Sequence, residues 1–88
     1  MEYEWDATKA GANRRKHGVS FNAVLDFEWA TARVVADDRA DYGELRWLAL
    51  GVINGRLYSL AFTIRDQRIR VISLRTASRK ERTLYEQT

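Results

Sequence analysis

The sequence predicts an α+β fold, an antiparallel β-sheet meander with helices on one face, in the order β-α-α-β-β-β-β-α. Three observations predict it. Two helix-start signals, Asp6 and Ser20, come early; four stretches of strand-like alternation follow from Ala32 onward; and a Ser-x-x-Glu capping box at Ser78 and Glu81 opens one more helix near the end. The chain has 88 residues, no proline, no repeat and no low-complexity segment, so residues 1–88 are read as one domain. A chain this short buries only about 60–65% of its unfolded surface, which leaves room for one small core.

The elements follow in order. Tyr3 to Trp5 reads as a short strand. Asp6 then caps a helix running to about Lys16, closed by Gly18 at the C-terminal cap position. Its apolar stripe is thin (Ala7, Ala10, Gly11 and the Arg14 stem), while Lys9, Asn13, Lys16 and His17 recur at helical spacing and share another face. Ser20 caps a second helix whose stripe is Phe21, Val24, Leu25 and Glu28, broadened by Ala23 and Phe27. Arg33 to Ala36 is a short β-branched strand, followed by an acidic loop from Asp37 to Gly43. Leu45 to Ile53 is a longer strand, and Gly51 within it allows something to approach the backbone closely. Asn54-Gly55 is a strong hairpin signal because both central residues of a type I′ turn take positive φ. Arg56 to Arg65 returns antiparallel, with Tyr58, Leu60, Phe62 and Ile64 on one face and Ser59, Ala61, Thr63 and Arg65 on an open one. Asp66-Gln67 turns into a last strand, Arg68 to about Arg75. There strict alternation groups Arg70, Ile72 and Leu74 against Val71, Ser73 and Arg75. Leu84 and Tyr85 are the apolar contacts of the final helix.

Composition narrows the chemistry. With no cysteine and a single histidine, His17, thiol nucleophiles, thiolate metal sites and His-pair metal motifs are excluded, and neither a cofactor nor a metal is expected. The longest uncharged run is nine residues, too short for a bilayer, and the opening Met-Glu-Tyr-Glu-Trp-Asp lacks signal-peptide character; a cytoplasmic protein without a membrane partner is expected. The net charge of +3 conceals a dipole. Residues 20–45 hold Asp26, Glu28, Asp37, Asp38, Asp41 and Glu44 against Arg33 and Arg39, whereas residues 65–82 hold Arg65, Arg68, Arg70, Arg75, Arg79, Lys80 and Arg82 against Asp66 and Glu81. Arginine clustered in this way suits bidentate contact with phosphate.

His17 titrates nearest neutrality and can act as base or acid, or simply complement the dipole at a helix end. Arg65, Arg75 and Arg79 fall near strand ends and the start of the last helix, where guanidinium forks and helix amides could hold a phosphate; taken singly, each is equally a solvated surface residue. Glu81 and Tyr85, one turn apart, could present a carboxylate and a phenol, although Glu81 is also the capping-box partner of Ser78. Cleavage of RNA by its own 2′-hydroxyl needs these parts: a proton acceptor, cations for the phosphorane and an acid for the leaving oxygen. Trp5, Trp29 and Trp47 could stack on bases, but in so small a domain aromatics are expected in the core. The acidic loop is either solvated or a surface for a basic partner.

The pattern Trp5-Asp6-x-x-Lys9-x-x-x-Asn13-x-x-Lys16-His17-Gly18-Val19-x-Phe21, then Glu44, Trp47 and Gly51, then Arg70-x-Ile72-Ser73-x-Arg75-x-Ala77-Ser78-x-x-Glu81-Arg82-x-x-Tyr85, resembles the BrnT toxin family over essentially the whole chain. The resemblance implies a toxin of a type II toxin–antitoxin pair with a RelE-like ribonuclease fold. Such a toxin blocks translation by cutting RNA and is silenced by a DNA-binding BrnA antitoxin, with which it represses their operon. It implies that Lys9, His17, Arg46, Arg65, Arg70, Arg75, Arg79, Glu81 and Tyr85 are the matching positions. The expectation is therefore a metal-independent endoribonuclease. His17, Lys9, Arg65, Arg75, Arg79, Glu81 and Tyr85 are its catalytic candidates, and Arg46, Arg68, Arg70, Lys80 and Arg82 its RNA contacts. The competing expectation is a non-catalytic binding module acting through antitoxin and operator complexes. No helix carries a recognition-helix pattern, so operator DNA is expected only through the antitoxin.

Overall fold

The computed structural model describes residues 2–39 and 41–87; residue 40 of the expected acidic loop and the terminal residues 1 and 88 lie outside it. Five strands, β1 (Glu2–Glu4), β2 (Arg33–Ala36), β3 (Trp47–Ile53), β4 (Arg56–Arg65) and β5 (Arg68–Thr76), form one sheet in the order β1-β5-β4-β3-β2. Among the described residues two α-helices, α1 (Ala7–His17) and α2 (Arg79–Glu86), complete the α+β fold. The meander β2-β3-β4-β5 is antiparallel as expected, but β1 runs parallel to β5, pairing Glu2 with Arg68 and Glu4 with Arg70, so the sheet is mixed. Among the described residues no helix is long and apolar enough to cross a membrane.

The expected second helix is two short 3₁₀ turns instead, Phe21–Asp26 and Trp29–Thr31. Phe21, Val24 and Phe27 recur every three residues, the 3₁₀ period, and all three are buried, whereas Leu25, which an α-helical stripe would bury, is 67% exposed. Ser20 caps this turn as expected, its hydroxyl accepting from the Asn22 amide at 3.2 Å.

The core lies between one sheet face and these turns, around Phe21, Val24, Phe27, Ala49, Leu60, Phe62, Ile69, Val71 and Leu74. The Phe27 ring lies directly on Gly51, where an added Cβ would collide with it; this is the close approach that the glycine permits. The tryptophans belong to this core, with Trp29 edge-on to Phe62 at 5.4 Å and Trp47 stacked on Phe62 at 5.9 Å. Strict alternation fails in β5. A bulge leaves Ile72 unpaired between Val71, opposite Phe62, and Ser73, opposite Ala61. Ile69, Val71 and Leu74 thereby all reach the core, and Arg70, Ser73 and Arg75 all reach the other face.

That second face is not the bare surface the alternation suggests, since Ser59, Ala61 and Thr63 are buried there. Nor do the helices share one face. On this side Glu81, Leu84 and Tyr85 of α2 line a groove of about 580 Å³ with Val35, Leu48, Leu50 and Ser59. Asn54 (φ 49°) and Gly55 form the expected type I′ turn, and Asp66 (φ 53°) with Gln67 (φ 63°) forms a second one without glycine.

Candidate active site

β1 covers the edge of β5 only as far as Arg70, so the backbone beyond it needs other partners. α1 supplies them. The buried Asn13 side chain accepts from the Leu74 amide (3.1 Å) and donates to the Leu74 carbonyl (2.8 Å) and the Val19 carbonyl (3.1 Å), standing in for the missing strand. This clamp holds α1 at the sheet edge. Lys9, Lys16 and His17 then gather, with Ile72 and Ser73, around a depression of about 280 Å³. Gly18, at φ 71°, ends the helix and donates to the Arg14 carbonyl at 2.9 Å, which fixes His17 in the last turn.

Burial foremost, then the Lys16 and Arg75 cations, pushes the His17 imidazole below its ordinary value. It is therefore neutral at pH 7 and able to accept a proton. Arg75 follows Ser73 on the same face of β5 and donates to both Glu81 oxygens, at 2.7 and 2.9 Å. Glu81 completes the expected capping box, accepting from the Ser78 amide at 2.8 Å while its own amide donates to Ser78 Oγ at 3.1 Å. The Arg75 hydrogen bonds first, and the Ser78 amide with them, hold the Glu81 carboxyl down to about 2. It is a fixed anion that aims Arg75 and is unfit as a proton donor near neutrality. The Tyr85 hydroxyl donates to the Thr31 carbonyl at 2.9 Å, toward the β2 edge of the sheet and away from the β5 edge that carries His17.

The structure separates the expected arginines. Arg65 pairs with Arg68 at the β4-β5 turn, whereas Arg75 stands opposite Ser59. Six residues of strand, about 20 Å at ~3.3 Å each, lie between. Arg65 does not join Arg75 and Arg79. It is bound to Glu44 at 3.0 Å, which also pairs with Arg46 at 3.4 Å; Arg46 in turn lies over the Tyr42 ring at 4.0 Å. Arg68 meets Glu2 at 3.3 Å, and Arg70 meets Glu4 at 2.8 Å. Much of the positive charge of residues 65–82 is thus neutralised by glutamates distant in sequence. Among the described residues, Lys9, Lys16, Arg79 and Lys80 have no carboxylate partner, and Arg82 donates to the Ala77 carbonyl at 3.1 Å. These four flank His17 and begin α2, with Arg75 between them; Arg14, Arg15 and Arg56 also have no carboxylate partner among the described residues.

Sequence reasoning set Asn13 beside the cations without giving it a role; its signal was a polar amide one turn before His17 on the same helical face. Arg39, held at both Asp37 oxygens (2.8 and 2.9 Å), had no signal beyond its charge. No group of three or more His, Cys, Asp or Glu side chains converges among the described residues.

Lys9, Lys16 and Arg75 thus surround one neutral imidazole, a combination of groups that can hold a phosphate. A family model described as the ribonuclease toxin BrnT of type II toxin–antitoxin systems matches residues 5–81. The chain belongs to this family of ribonuclease toxins, whose setting supplies RNA as substrate and an antitoxin as partner. The matched span holds Lys9, His17, Arg75 and Glu81, and ends before Arg82 and Tyr85. No curated protein matches the chain.

Proposed function

We propose that the chain is a metal-independent endoribonuclease that inhibits translation in the cytoplasm, with His17 and Arg75 at its centre. The observation that carries this reading is the neutral His17 imidazole set among Lys9, Lys16 and Arg75. In the proposed reaction His17 takes the proton of the 2′-hydroxyl as the 2′-oxygen bonds to phosphorus. Arg75, aimed by Glu81, and the ammonium groups of Lys9 and Lys16 neutralise the phosphorane, with Arg79 holding an adjoining phosphate. The P–O5′ bond breaks and the 5′-oxygen takes the proton from the imidazolium, leaving a 2′,3′-cyclic phosphate and a 5′-hydroxyl. The fixed cations supply the charge stabilisation that a metal ion provides elsewhere.

The same proposal takes the fold as RelE-like, on the strength of the β3-β4-β5 meander flanked by α1 and α2. It takes the partner as a BrnA-like antitoxin, with operator DNA engaged only through that complex. Lys80 and Arg82 at α2 serve the RNA backbone, whereas Arg46, Arg65, Arg68 and Arg70 act chiefly as ion-pair partners of the sheet. Purified protein incubated with RNA in excess chelator tests the reading. Cleavage to cyclic-phosphate ends is expected to persist in chelator and to fall at least 100-fold in Arg75→Ala. Intact RNA, or equal cleavage by Arg75→Ala, overturns it.

A further inference from the structure

The sheet has two edges, and they are finished differently. β1 carries Glu2 and Glu4, charges of the kind that discourage further strands. β2 carries Val34 and Val35, 46% and 60% exposed, and among the described residues no strand lies beyond it. The Asp37 amide donates to the Arg46 carbonyl at 2.8 Å. By antiparallel alternation, Arg33 and Val35 also turn their backbone groups to β3, so those of Val34 and Ala36 point outward.

An apolar groove flanks this edge on each side. One is the α2 groove, reaching Val35, Leu48, Leu50 and Leu84; the other, of about 400 Å³, ends at Val34 and runs across the sheet by Trp29, Phe62, Ile64 and Ile69 to Tyr3 of β1. Val34 and Ile64 on one face, and Val35 and Leu84 on the other, leave apolar surface exposed on both sides of the sheet. Outward backbone groups with a pocket on either face are what an added strand requires, the backbone giving affinity and alternate side chains giving specificity.

Charge selects the occupant. The strand itself lies within residues 20–45, which carry six acidic residues against Arg33 and Arg39, a net charge of −4, with Asp26, Glu28, Asp38 and Asp41 exposed. A second copy paired across β2 would set two such acidic segments against each other. A partner with basic residues would be attracted.

We propose that β2 is the docking edge for the antitoxin, which adds an extended segment of alternating apolar residues, flanked by lysine or arginine, as a sixth strand. This rests on the antitoxin partnership and not on the catalytic roles given to His17 and Arg75. The test uses the full chain and the protein encoded by the neighbouring open reading frame. Ala36→Pro removes an outward donor without touching the β2-β3 bonds, and Val34→Thr with Val35→Thr keeps shape while reducing apolarity. Each variant is expected to keep its thermal midpoint and RNA cleavage and to bind the neighbour at least tenfold more weakly. The Val34 and Ala36 amides of the wild type should become protected from hydrogen exchange in the complex. Wild-type affinity in both variants overturns the docking edge. So does an isolated wild-type dimer that Ala36→Pro makes monomeric, which assigns the edge to a second copy, or loss of RNA cleavage in the variants, which assigns it to RNA. Absence of any binding by the wild-type chain overturns the antitoxin partnership itself.

Discussion

Asn13 shows how a residue without chemistry of its own controls a site. Its three hydrogen bonds satisfy the buried Leu74 amide and carbonyl and fix the helix that carries Lys9, Lys16 and His17. Asn13→Ala leaves those groups unpaired and is expected to cost about 2–3 kcal/mol in denaturant unfolding, together with much of the cleavage rate. His17 makes a sharper prediction. Its folded pKa lies below the ordinary ~6.5, so the neutral base is present above that folded value and is lost as pH falls through it. The pH–rate profile should fall on the acid side with its midpoint below 6.5, and His17→Asn should abolish that limb along with most activity. The clustering of Lys9, Lys16 and His17 was legible because helical spacing alone brings them together, and the Ser78-Glu81 box because it is local. The separation of Arg65 from Arg75 was not, because it depends on register across the β4-β5 hairpin, and the Tyr85 bond to Thr31 joins residues 54 apart in the chain.

Among the elements, the strands and turns of the meander were readable from alternation and from Asn54-Gly55. The 3₁₀ segment and the bulge were not. Phe21, Val24, Leu25 and Glu28 fit an α-helical stripe on paper, and only packing against β3 and β5 selects the three-residue period that leaves Leu25 outside. The bulge at Ile72 likewise trades one paired residue for three core contacts by Ile69, Val71 and Leu74, a choice made by the core and not by local propensity. The turn Asp66-Gln67 places two non-glycine residues at positive φ, a conformation that Asp tolerates better than Gln. Gln67→Gly is therefore expected to raise stability by about 0.5–1 kcal/mol in thermal or urea unfolding, with cleavage unchanged because the turn is remote from His17.

At the scale of the whole molecule, charge organises the parts that hydrophobic pattern leaves open. The segmental dipole visible in the sequence survives only in part, because Glu2, Glu4 and Glu44 fold onto Arg68, Arg70, Arg46 and Arg65. The cations left without a carboxylate partner among the described residues include those at two helix ends beside Arg75. Acid should dismantle this arrangement before the core. Glu81 titrates near 2 when folded and near 4.5 when unfolded, so the stability it contributes is complete above about 4.5 and is lost as pH falls toward 2. Unfolding midpoints should drop across that window, and Glu81→Gln should flatten the drop. The pairing of β1 with β5 has a temporal consequence as well. Glu2 and Arg68 are neighbours in space, yet one leaves the ribosome long before the other exists. α1 emerges with Lys9 and His17 in place, but Arg75 and Glu81 are made much later, and β1 must wait for β5. A nascent chain therefore cannot assemble the proposed site until β5 has been made and has found β1.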